Sequence, residues 1–114
     1  MEVQLDTKAL DATFFALSDA TRRAILVRLA GGEASVNELT EQFSISQPAI
    51  SRHLKVLERA GLIRRGRAAQ RRPATVDPRS LRQILGWIDR YQKMWEKSYR
   101  RLDRALAQHM KERG

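Results

Sequence analysis

Apolar positions recur at helical spacing along most of the chain. In Lys8–Leu17 (KALDATFFAL), Leu10, Phe14 and Leu17 share one face of a short helix. Ser18 or Asp19 can cap the next segment, where Ala20, Ala24, Leu26, Val27 and Ala30 are mixed with Arg22, Arg23 and Arg28 before Gly31-Gly32 ends it. Ser35-Val36-Asn37-Glu38 has the form of a capping box, and Val36, Leu39 and Phe43 follow at helical steps. After the tight Ser44-Ile45 connection, Ser46 caps a fourth helix. Pro48 falls in its first turn, where no backbone N–H is needed, and Gly61 closes it. The period then shortens. Leu62–Arg65 reads as a strand, Gly66–Gln70 as a flexible tip, and Arg71–Val76 as a returning strand weakened by Pro73, which cannot donate to a ladder. Asp77 caps a last helix from Pro78 to about Met110. The order is helix, helix, helix–turn–helix, hairpin, long helix: a mainly α fold with a small β-hairpin. As a whole it is a winged helix-turn-helix with a long C-terminal dimerisation helix. It reads as one domain over residues 1–114, with the helix-turn-helix over about 35–60, the wing over about 62–76 and the last helix over about 78–110.

The fourth helix has two chemically different faces. At ~100° per residue, Ile50, Leu54 and Leu57 cluster in a narrow arc, while Pro48, Ser51, Arg52, Lys55 and Arg59 lie opposite. Gln47 falls at the edge of that outer face. Arginine can donate two hydrogen bonds to guanine and glutamine can pair with adenine, while serine serves a base or a phosphate. The open N–H groups beginning at Ser46 can hold a phosphate. Arg64, Arg65, Arg67, Arg71 and Arg72 crowd into the hairpin, suited to a minor groove or to backbone phosphates. The candidate DNA contacts are therefore Ser46, Gln47, Pro48, Ser51, Arg52, Lys55, Arg59, Arg65, Arg67, Arg71 and Arg72.

Charge sharpens this picture. The net charge of the 114 residues is +9. Residues 1–51 are net acidic, with four basic and seven acidic side chains, while residues 52–79 hold nine basic and two acidic. An excess gathered into the reading helix and hairpin suits a polyanion, double-stranded DNA above all. The chain has no cysteine, which removes disulfides, thiolate metal sites and a cysteine nucleophile, and fits the cytoplasm. No apolar run approaches the ~20 residues of a membrane span, and the start is not that of a signal peptide. Two histidines far apart, no clustered carboxylate pair and no glycine-rich phosphate loop argue against an enzyme.

Two stretches resemble the ArsR-type winged-helix repressors of bacteria: Phe15–Leu26 (FALSDATRRAIL), and Ser46–Leu57 (SQPAISRHLKVL) with Ala60-Gly61-Leu62-Ile63. The resemblance covers roughly residues 10–110. It implies a homodimer that binds an operator near a promoter and represses transcription, with DNA contacts at Gln47, Pro48, Ser51 and Arg52. The Leu-Ser-Asp-x-Thr-Arg-Arg opening resembles a metal-independent branch that includes repressors of their own operons. The family's cysteine sensor would lie in Val36–Phe43, where no cysteine stands. Its other sensor pattern is half present, as His109-x-x-Glu112, with Glu96 and Ser98 at the upstream positions, so one imidazole is missing. No metal and no cofactor are expected.

A last helix of that length would extend about 50 Å. Leu81, Leu85, Ile88, Tyr91, Trp95, Leu102 and Leu106 stripe it at three- and four-residue steps, with Trp87, Met94 and Tyr99 alongside. Part of the stripe should meet Phe14 and Phe15 of the first helix, and the rest should pair with a second subunit. Phe14, Ile88, Tyr91, Trp95, Tyr99, Leu102 and Leu106 are the candidate dimer contacts. Rival readings are a winged helix holding an acidic protein, a metal-responsive repressor with a non-standard site, a structure-selective RNA binder, and a helix lying on a membrane surface.

Overall fold

A computed structural model describes residues 7–67 and 72–113. Five helices and a hairpin follow one another as α1 (Thr7–Leu17), α2 (Ala20–Ala30), α3 (Val36–Phe43), α4 (Gln47–Arg59), β1 (Ile63–Arg65), β2 (Ala74–Val76) and α5 (Pro78–Arg113). The starts of α2, α3 and α4 are each set by a side chain that satisfies an orphan N–H of the first turn. Asp19 accepts from the Arg22 N–H at 3.0 Å and Ser46 from the Ala49 N–H at 3.2 Å. Ser35 and Glu38 exchange both bonds of a capping box. α3 stops at Ser44, whose φ of 53° is left-handed and turns the chain towards α4. Gly61, at φ 74°, does the same after α4; a Cβ there would stand 2.8 Å from the Ser80 hydroxyl.

Ile25, Leu39, Ile50, Leu54, Leu57, Leu62 and Ile63 are fully buried and hold α2, α3, α4 and β1 together. On α2 the buried face is Arg22, Ile25, Leu26 and Leu29, whereas Val27 is 75% exposed. The inward stripe of this helix thus contains an arginine.

The hairpin is antiparallel, with Ile63 opposite Val76, Arg64 opposite Thr75 and Arg65 opposite Ala74. Its strands are shorter than expected. β2 starts at Ala74 rather than Arg71, because Pro73 has no N–H to extend the ladder, although its carbonyl accepts from the Gly66 N–H at 2.8 Å. Ala34 forms a bridge to Ala74 through two backbone bonds, 3.2 and 2.8 Å, tying the start of the helix-turn-helix to the wing.

The described residues divide into two compact units between Ile84 and Leu85. In the first, Ile84 is buried and Leu81 packs against the core. The second is the remainder of α5, which runs to Arg113, one turn past the expected end. Among the described residues no helix is long and apolar enough to cross a membrane.

Candidate nucleic-acid interface

α4 is built as a helix with one apolar and one cationic side. Ile50, Leu54 and Leu57 are buried, and Gln47, Pro48, Ser51, Arg52, Lys55 and Arg59 are exposed on the other side. Gln47, at the edge of the outer face on the helical wheel, is open to solvent like the rest. Ser46 is exposed, but its hydroxyl oxygen already accepts from Ala49. The outer face thus joins hydrogen-bonding groups at its N-terminal end to cations at its C-terminal end.

The wing arginines divide by what they touch. Arg64 leaves the outer side of β1 for Asp77, with Nε 3.4 Å from Oδ2. Arg79 donates to the same carboxylate from Nε at 3.2 Å, from Nη2 at 3.0 Å and from its backbone N–H at 3.1 Å. Asp77 is buried between them, and the Arg79 hydrogen bonds, helped by the charge of Arg64, hold its carboxyl at about 2. The expected capping role of Asp77 is thus present, with a second function as the clasp between wing and α5. Arg65 is half-buried and gives its Nε–H to the Arg72 carbonyl at 3.1 Å. Burial, and then the Arg72 charge, lower its pKa. Of the wing cations, Arg64, Arg67 and Arg72 are exposed, and Arg71 lies outside the described residues together with residues 68–70.

From the sequence His53 falls at the edge of the fourth helix as a packing or phosphate-facing residue and Arg22 has no assigned partner; in the structure the two meet. Arg22 is 8% exposed and donates to the carbonyls of Ala16 and Phe15, at 2.8 and 2.9 Å. Its Nη1 lies 3.4 Å from Nδ1 of His53, on the side edge of α4. A signal was present: Arg22 stands three, four and seven residues before Ile25, Leu26 and Leu29, on the buried stripe itself.

Beyond Ile84, α5 carries a continuous apolar seam. Leu85, Ile88, Trp95, Tyr99, Leu102 and Leu106 fall on alternating three- and four-residue steps, with Gln92 as the one polar member between Ile88 and Trp95. Trp95, Tyr99 and Leu102 are 44%, 59% and 54% exposed. The aromatic rings form a ladder: Trp87 and Tyr91 stack at 5.0 Å, Tyr91 meets Trp95 edge-on at 5.9 Å, and Trp95 leans on Tyr99 at 5.8 Å. Phe14 and Tyr91 are also exposed. On the far side of the helix Lys97, Arg100, Arg101 and Arg104 group together. Among the described residues no three His, Asp or Glu side chains gather to hold a metal ion.

Residues 19–65 match the bacterial regulatory protein family arsR. The HTH-type transcriptional regulator Rv2034 of Mycobacterium tuberculosis is 43% identical over 81 residues, spanning 71% of this chain and 76% of that protein. The transcriptional repressor SdpR of Bacillus subtilis is 35% identical over 79 residues, 69% of this chain and 88% of the repressor. The crystal structure of an ArsR family transcriptional regulator superposes with a TM-score of 0.72 at 34% identity, covering 77% of this chain and 97% of that one.

Proposed function

The chain belongs to the arsR family of bacterial regulatory proteins and is a transcriptional regulator, and on that premise we propose that it binds a pseudo-palindromic operator as a homodimer and represses transcription. The observation that carries the DNA reading is the outer face of α4, where Gln47, Pro48, Ser51 and Arg52 are all exposed at the N-terminal end and Lys55 and Arg59 follow. Gln47, Ser51 and Arg52 read base edges, because the N-terminal part of the second helix is what enters the major groove in this motif. The Ser46 hydroxyl and the Gln47 N–H meet a phosphate, since Pro48 has no N–H and those of Ala49 and Ile50 are taken by Ser46. Lys55, Arg59, Arg67 and Arg72 neutralise phosphates, which positions the protein without encoding sequence. Arg64, exposed though paired with Asp77, and Arg65, half-buried against the Arg72 carbonyl, meet phosphates as well.

The dimer reading rests on the exposed seam of α5, with Phe14, Ile88, Tyr91, Trp95, Tyr99, Leu102 and Leu106 covered by the second subunit. Two-fold pairing sets the reading helices about one DNA turn apart, ~34 Å.

Footprinting on the promoter of the chain's own operon tests the whole reading. A protected two-fold site should bind at least ~10³-fold more tightly than scrambled duplex. Arg52→Ala should then lose about 1–3 kcal/mol and relax discrimination at one base position. Equal weakening on every sequence would reduce Arg52 to a phosphate contact, and equal affinity for all duplexes would favour a basic face that holds an acidic protein.

A further inference from the structure

Arg22 is a permanent cation in the interior, and each of its side-chain nitrogens has a partner. Nε and Nη2 take the Ala16 and Phe15 carbonyls of the last turn of α1, at 2.8 and 2.9 Å, where the helix dipole favours positive charge. The Phe15 ring lies over the guanidinium, 5.0 Å from its centroid. Nη1 alone reaches another element, meeting His53 Nδ1 of α4 at 3.4 Å. Arginine has donors only and does not give up its proton, so this contact is a hydrogen bond only while Nδ1 carries none. The contact is at the long end of the range, which makes the imidazole the partner most easily released. Asp19 Oδ2 stands 4.0 Å from the same ring nitrogen, but that oxygen also caps α2 by accepting the Arg22 N–H at 3.0 Å. The charged groups found within reach of the ring are Arg22 of α2 and Asp19 at its cap, and no hydrogen bond or ion pair to it is found from the described residues of α3 or β1.

We propose that His53 is a positioning residue: its Nδ1 hangs the DNA-reading helix on Arg22, and protonation of the ring releases that anchor and weakens operator binding. The inference rests on the assignment of α4 as the reading helix. His53 directly follows Arg52 and lies two residues from Ser51, so a displaced ring tilts the segment that must meet base edges in register. Protonation sets a second positive charge beside Arg22 and turns Nδ1 from acceptor to donor. The new donor is drawn to Asp19, where it competes with the cap of α2. Acidification therefore disturbs both ends of the joint at once.

Fluorescence anisotropy with an operator duplex, from about pH 8 to about pH 5 where imidazoles change charge, tests this on the full chain. The comparison is with His53→Asn, whose Oδ1 takes the place of Nδ1 and accepts at every pH. The ratio of the two dissociation constants removes the pH response of the other groups. It should be near one at the alkaline end. At the acid end the wild type should be weaker by about fivefold, the net worth of one hydrogen bond. A ratio that does not move with pH overturns the proposal. Nitrogen NMR shifts of the His53 ring, recorded without DNA, give a second reading: the neutral ring should be protonated at Nε2, and protonation at Nδ1 instead overturns the anchor. A chain with the expected tautomer that binds no duplex at any pH supports the anchor and refutes the DNA reading, so the two failures are told apart.

Discussion

Truncating Leu102 should separate two subunits while leaving the fold of each intact. Within its own chain Leu102 is 54% exposed on the α5 seam. Complete burial of a leucine side chain is worth roughly 1.5–3 kcal/mol, so the half left uncovered contributes roughly 1 kcal/mol when a second subunit covers it. A two-fold interface counts the change in both subunits, giving about 2 kcal/mol per dimer, or about thirtyfold in the dimer dissociation constant. Leu54→Ala is the contrasting perturbation. That side chain is 0% exposed in the core, and its loss should cost about 2–5 kcal/mol of folding stability at any protein concentration. Sedimentation equilibrium across nanomolar to micromolar concentrations reads the first effect, and thermal unfolding at several concentrations reads the second. Leu102→Ala should raise the dissociation constant and make the melting temperature depend more on concentration. A wild-type chain that sediments as a monomer at micromolar concentration refutes the reasoning, as does a dissociation constant that Leu102→Ala leaves unchanged.

The wing and its clasp make separate predictions. Arg67→Ala should weaken binding to specific and scrambled duplexes alike and lower the salt slope by about one unit; a change confined to one base position would instead make Arg67 a reader. Asp77, held at about 2 against the usual carboxylate value near 4, adds stability that is complete above the ordinary value and lost as pH falls towards 2. Asp77→Asn keeps an oxygen for the Arg79 N–H but loses the charge. Its unfolding midpoint should therefore fall less steeply than the wild type's between about pH 4 and pH 2, and parallel curves would mean that the carboxylate is not tied down.

Arg22, Arg64 and Arg52 show where reading along the chain stops. All three arginines follow apolar or capped segments of similar composition, yet one is buried, one is clasped by a carboxylate and one is free for a ligand. Their helix or strand could be assigned from neighbours within a turn or two. The partners of Arg22 and Arg64 could not, because His53 and Asp77 reach them only after the chain has folded back. The same holds for Ala34: nothing around it suggests a ladder bond, and it forms a single bridge by meeting Ala74 across 40 positions.

By itself the amino-acid sequence determined the order of the elements, the caps at Ser35 and Ser46, and the two faces of α4, and it narrowed the cap of α2 to Ser18 or Asp19. It also placed Arg67 and Arg72 in a wing between helix and long helix. These depend on spacing and on hydrogen bonds that close within one turn, and such short-range terms are readable in any window of the chain. Tertiary structure alone decided which cations are exposed, where β2 begins and how Arg22 comes to contact both α1 and His53 of α4. Those outcomes depend on which groups burial brings together, and a buried cation must be matched by acceptors, here two carbonyls of α1 and a ring of α4.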